Sequence, residues 1–312
     1  SDAAGTSWLD VKKRNWSDAL LAATGLDRSH MPRLVEGSEI SGKLKDSLAT
    51  KWGMSKGVII AGGGGDNAAS AIGVGVVNAG DAFVSLGTSG VLFAASNSYQ
   101  PDPASAVHTF CHALPDTWHQ MGVILAATDA MNWFSRILNS SAEEMTNNLG
   151  SLQAPSNTLF LPYLGGERTP HNDAVIRASF INLDHNTDQK KMIRAVIEGV
   201  TFAIRDSYDA LSSTGTNIER LIAVGGGVKS EYWVQAIATS LGKPISIPVS
   251  GDFGGAFGAA RLGMIAHGSN RSDVAVFPKI QKIIEPVMPL HDDFMSALNS
   301  YRATYKALKS IT

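Results

Sequence analysis

Two hydrophobic periods alternate along this chain, and their order sketches a fold. Residues 190–211 carry Met192, Ala195, Val196, Val200, Ala203 and Ile204 on one stripe, the spacing of an amphipathic helix. Similar helical spacing marks 17–24, 121–138 and 289–311, while 67–77 and 254–267 read as helices built of small residues. Short apolar or alternating runs read as strands at 6–11, 57–61 (as a buried strand), 81–86, 91–96, 157–164, 219–224 and 244–249. Residues 26–42, punctuated by Pro32 and Gly37, and the polar stretch 165–173 read as loops. Strands that alternate with helices predict an α/β layered fold.

Glycine turns follow three of these strands, at 62–65, 87–90 and 225–227. Glycine supplies positive φ and lets backbone approach a ligand without a Cβ in the way. One such turn is an ordinary connection; three are better explained by several backbone segments converging on one phosphorylated ligand. Gly63, Gly65 and Ala68 match the dinucleotide pattern G-x-G-x-x-A, but the acid that should end the next strand is missing, since Asp81 starts it. The segment GGGVKS has the wrong spacing for a G-x-x-x-x-G-K-[ST] phosphate loop. Both common nucleotide folds fit poorly.

Asp66 follows the first glycine turn where a helix begins, so it is either an N-cap or an exposed carboxylate available for general-base chemistry or a metal-bound water. Its neighbour Asn67 could hydrogen-bond a polyol. Thr88, Ser89 and Gly90 form either a plain β-turn or a turn aimed at phosphates. Ser230 is a plausible N-cap. Glu167, Arg168, His171 and Asp173 concentrate in 165–173, where a solvated loop and a functional one are equally good readings. His108, His112 and His119 lack metal-site spacing, and Trp118 and Trp133 read as core.

Composition narrows the choices. With 312 residues, 44% apolar and 17% charged, the chain can bury one large core or two ordinary ones. A net charge of −2 without a basic run disfavours nucleic acid. An anionic ligand would then be held by backbone amides and a metal ion. No apolar stretch reaches the roughly 18 residues of a membrane span. A single cysteine, Cys111, rules out an internal disulfide framework and suits a reducing cytoplasm.

Four segments taken together carry a more specific signal. GGGGDNAASAIGVGVVNAGDAFVSLGTSGVLFAAS, FLPYLGGERTPHND, LIAVGGGVKSEYW and GDFGGAFGAARLG occur in that order, with CHALPDTWH between the first two. They resemble the FGGY carbohydrate kinases over most of the chain. The resemblance implies an actin-like ATPase (ribonuclease H-like) α/β fold, in which two domains close over a sugar and MgATP. It implies that residues 1–78 are the remainder of an N-terminal sugar-binding domain and 79–312 a C-terminal nucleotide-binding domain.

By the same resemblance Asp66 is the catalytic base and Asn67 a sugar contact. Gly87, Thr88 and Ser89 form the second phosphate turn, Gly226, Gly227 and Ser230 the adenosine motif, and Thr128 and Asn132 the approach to adenine. ATP and Mg²⁺ are the implied cofactors, the metal carried by the nucleotide with no protein ligand assigned. The implied partners are a sugar and MgATP, without nucleic acid or membrane; a homodimer is left open. D-Xylulose is the expected acceptor, with ribulose, gluconate or glycerol as alternatives. A non-catalytic nucleotide-binding module is the rival of a different class, and Asp66 speaks against it. The family's opening GxDxGTS-type turn is not in this sequence. The expectation is therefore a carboxy-terminal part that does not turn over by itself.

Overall fold

A seven-stranded mixed sheet organises the computed structural model, which describes residues 1–249 and 254–311. Its strands are β1 (Asp81–Leu86), β2 (Gly90–Ser96), β3 (His108–Cys111), β4 (Trp118–Ile124), β5 (Arg220–Val224), β6 (Ile245–Pro248) and β7 (Ile280–Ile284). They lie in the order β7-β6-β5-β1-β2-β4-β3. β1, β2 and β4 form an antiparallel meander, β5 runs parallel to β1, and β6 runs parallel to β5. A mixed sheet of this kind agrees with the α/β layering expected from the sequence. β3 and β7 extend the two edges, each antiparallel to its neighbour.

Side-chain alternation along the strands explains why both faces are covered. On β1, Ala82, Val84 and Leu86 join one apolar cluster while Phe83 joins another on the opposite face. The first face carries α2 (Thr128–Leu138), α3 (Gln189–Ser213), α4 (Glu231–Leu241) and α6 (His291–Lys309). The second face, with Phe83 stacked on Phe93 at 4.9 Å, receives α1 (Asp66–Gly73). α5 (Gly255–Ala266) packs on α1 through Ala68, Ile72 and Leu262. The α1–α5 crossing is close because Gly258 has no side chain: a Cβ there would lie 1.6 Å from the Ala69 carbonyl oxygen.

The first 61 residues contain two small antiparallel ribbons, Leu9–Asp10 with Asn15–Trp16 and Ile40–Lys43 with Ile59–Ala61, and two short helices, Asp18–Ala23 and Asp46–Lys51. Arg14 fastens the first ribbon to the sheet. Its guanidinium holds Glu36 and donates to the Thr117 carbonyl at 2.7 Å.

Several expectations need correction. The helix expected over 121–138 is a strand through Ile124, a short break, and a helix from Thr128. Short apolar runs satisfy either period, and pairing of Val123 with Val91 decided for strand here. The strand expected at 6–11 is a 3-10 turn at Asp2–Thr6 and only two paired residues beyond it. Ile59–Ala61 is a strand but not a buried one, with Ile60 at 47% exposure. The loop expected at 26–42 already contains the start of strand Ile40–Lys43. The first small-residue helix stops at Gly73 rather than 77. Gly251, Asp252 and Phe253 of the GDFGGAFGAARLG motif lie outside the described residues. Among the described residues, no helix is long and apolar enough to cross a membrane.

Candidate active site

The three glycine turns meet along one run of cavities. After the strand Ile59–Ala61 the chain turns through Gly62 and Gly63. A Cβ on Gly62 would sit 2.2 Å from the Glu36 carbonyl oxygen, and Gly63 has φ of +74°. Gly65 is the N-cap of α1, which makes Asp66 the first helical residue rather than the cap. Asp66 is exposed, and its Oδ1 accepts from the Asn67 backbone N–H at 2.7 Å and from Asn67 Nδ2 at 3.1 Å. The carboxylate is thereby oriented, with Oδ2 free of these contacts, at the positive end of a helix.

A cavity of about 360 Å³ surrounds it, lined by Asp66, Asn67, Ser89, His108, His119 and Arg168 among others. A neighbouring cavity of about 880 Å³ is lined by Asn67, Ser70, Gly225, Gly226 and Lys229. Gly226 and Lys229 also line a third, of about 540 Å³, together with Thr128, Asn132, Gly227, Ser230 and Trp233. Shared lining residues therefore link Asn132 at one end with Asp66 at the other.

Each turn is built by its neighbours. β1 and β2 are joined through Gly87, Thr88 and Ser89, with Leu86 opposite Gly90. The Gly87 and Thr88 carbonyls accept N–H groups from Ala127, Thr128 and Asp129, which caps the start of α2. The Thr128 hydroxyl donates to the Gly87 carbonyl at 2.8 Å, so it fixes the turn to the helix rather than standing free. Thr88 is exposed and lines none of these three cavities; Ser89 lines the one at Asp66. After β5, Gly225 with φ of +93° bends the chain into a 3-10 turn. Ser230 then caps α4 by accepting from the Trp233 N–H at 3.3 Å.

The solvated-loop reading of 165–173 does not hold. Glu167 is buried, and its Oε1 accepts N–H bonds from Leu125 at 2.9 Å and Arg168 at 2.8 Å, while Oε2 has no partner among the described residues. Burial is the main cause that pushes its carboxyl up to about 8. His171 stacks on Tyr305 of α6 at 3.6 Å, and Tyr163 joins His171 to Tyr301. His112 and His119 pack as aromatic rings around Phe93, and burial holds both neutral, His112 at about 3.

A carboxyl whose pKa rises on folding contributes stability at low pH, and that contribution is lost as pH climbs from about 4.5 toward about 8. Glu167→Gln retains an acceptor for both N–H groups and cannot ionise. The melting temperature of the variant minus that of the wild type is expected to increase between pH 5 and pH 8.5. A difference that stays constant over that range contradicts the assignment.

Sequence reasoning missed Lys229, Trp233 and Glu143 in the cavity with Asn132, and His108 and His119 in the one with Asp66. Lys229 had a signal, since it lies two residues after the third glycine turn. The histidines had none, because only the β2-β4-β3 order brings them beside α1.

Comparison with known proteins agrees with this architecture. The model of the FGGY family of carbohydrate kinases, C-terminal domain, matches residues 82–267, and that of the N-terminal domain matches residues 1–73. A xylulose kinase of Escherichia coli K12 is 44% identical over 288 residues, 90% of this chain and 58% of the relative. One from Klebsiella pneumoniae is 42% identical over 85% of this chain and 55% of the relative. The crystal structure of a "xyloylose kinase" from Brucella ovis superposes with a TM-score of 0.98 at 55% identity, covering all of this chain and 65% of that one. The chain thus spans less than two thirds of the length of these proteins. With both domain models matched in order and the fold shared throughout, the chain belongs to the FGGY family of carbohydrate kinases.

Proposed function

We propose that this chain serves the ATP-dependent phosphorylation of D-xylulose to D-xylulose 5-phosphate. The observation that carries this reading is the run of linked cavities from Asn132 to Asp66, which can seat a nucleotide and an acceptor end to end. Thr128, Asn132, Gly226, Gly227 and Ser230 take the adenosine end. By the family resemblance the turn Gly87, Thr88 and Ser89 takes the phosphate side, with only Ser89 lining one of the cavities, and Asp66 and Asn67 take the sugar. Residues 1–78 then belong to the sugar-side domain and 79–312 to the nucleotide domain. The names of the relatives favour xylulose over ribulose, gluconate or glycerol.

In this reaction a bond forms between the sugar hydroxyl oxygen and the γ-phosphorus. The bond from that phosphorus to the bridging oxygen breaks, and its electron pair leaves with ADP. Asp66 takes the hydroxyl proton, which requires an exposed carboxylate on a rigid element. Mg²⁺ arriving on ATP supplies neutralising charge for the phosphates and needs few protein ligands. A cytoplasmic location, where ATP is supplied, is part of the same proposal.

A non-catalytic nucleotide sensor would have no use for Asp66 beside the nucleotide cavity. Titration with MgATP and with NAD⁺, and kcat/KM over the four acceptors, test the reading. Saturable binding of MgATP alone and the highest kcat/KM for D-xylulose are expected. Preference for NAD⁺, or for another acceptor, overturns it.

A further inference from the structure

Arg168 combines a locked backbone with an unengaged side chain. Its neighbours Glu167 and Thr169 are buried, at 2% and 0% exposure. The Arg168 N–H donates to Glu167 Oε1, the Thr169 N–H donates to the Val123 carbonyl at 3.0 Å, and the Thr169 hydroxyl accepts the Val123 N–H at 3.0 Å. The same hydroxyl donates to the Ala106 carbonyl at 3.2 Å. The backbone is thus fixed to the end of β4. The guanidinium, by contrast, is exposed, makes no hydrogen bond or ion pair with a described residue, and lines the cavity that holds Asp66.

The guanidinium has no bonded counter-charge among the described residues, although carboxylates share its cavity. His108 lines the same cavity, and burial together with the charge of Arg168 lowers its pKa, so it stays neutral. Glu167, directly adjacent in sequence, is held largely protonated at neutral pH by burial. Asp2 and Asp66 are the other charged residues of the lining. Asp66 is oriented by Asn67 and makes no bond to Arg168. A neutral sugar gives an unpaired guanidinium on an anchored backbone nothing to neutralise, whereas phosphoryl oxygens match its planar fork.

We propose that Arg168 hydrogen-bonds the oxygens of the transferred phosphoryl group, first during transfer and then in the sugar-phosphate product. This rests on the sugar-kinase reading above. The guanidinium takes no proton and forms no covalent bond; it stabilises charge on the phosphoryl oxygens while the hydroxyl proton goes to Asp66.

The test compares Arg168→Met and Arg168→Lys with wild type in an active enzyme containing this chain. The side chain is exposed, so the melting temperature should hold. Arg168→Met is expected to lower kcat roughly 10²-fold or more. The inhibition constant of D-xylulose 5-phosphate should weaken roughly tenfold or more, while the KM for D-xylulose stays within about threefold. Arg168→Lys, or guanidinium ion added to Arg168→Met, should restore part of kcat. Parallel loss of affinity for sugar and sugar phosphate, or no change in either, overturns the proposal. A wild-type enzyme that phosphorylates no sugar overturns the kinase reading itself, and with it this inference.

Discussion

Asp66→Asn, in an active enzyme containing this chain, lowers kcat by roughly 10²–10⁴-fold and leaves the Kd for MgATP within about threefold. Asparagine has nearly the same shape, and its side-chain oxygen can still accept the two Asn67 hydrogen bonds that orient Asp66. The start of α1 is therefore preserved. On the proposed role of Asp66, what the variant loses is the ability to take the hydroxyl proton. Asp66 does not line the cavity that holds Thr128, Asn132 and Gly227, so nucleotide affinity should not follow kcat. Retention of more than about a tenth of kcat contradicts its role as the base.

Gly258→Ala has the second large effect, through structure. The added Cβ would meet the Ala69 carbonyl oxygen at 1.6 Å, its carbon at 2.5 Å and the Gly73 nitrogen at 3.0 Å. All three belong to the backbone of α1, which cannot swing aside as a flexible side chain could. The α1–α5 pair must separate, at a cost of about 1–3 kcal/mol or more, and α1 carries Asp66. A fall of several degrees in melting temperature, with loss of kcat, is expected. Gly263→Ala on the same helix is the control, since nothing lies within 4 Å of its Cβ position. It should be neutral or slightly stabilising, because alanine is the better helix former. Equal melting temperatures for the two variants contradict the packing account.

The parts of the candidate site that were legible in the sequence are those whose local structure carries the signal. A strand, a glycine turn and a helix start sit within a few residues of one another at Asp66 and again at Gly226, Gly227 and Ser230. Hydrophobic period and turn chemistry reveal such units directly. Residues 121–124 were misread because Met121 and Val123 fit either period, and the neighbouring strands that settle the question lie elsewhere in the chain. Glu167 was equally ambiguous, since a charged segment looks solvated until the tertiary fold buries it. Gly258 shows the same limit: its glycine is visible, but the helix that presses on it comes almost two hundred residues earlier.

The central claim is that the linked cavities bring one nucleotide and one sugar together for phosphoryl transfer. Phosphorus NMR of MgATP and D-xylulose with an active enzyme containing this chain tests it most directly. The account predicts ADP and a phosphomonoester of the sugar appearing in equal amounts, with the rate suppressed by Asp66→Asn. ADP accompanied by inorganic phosphate, or no release of ADP that depends on the sugar, would contradict it.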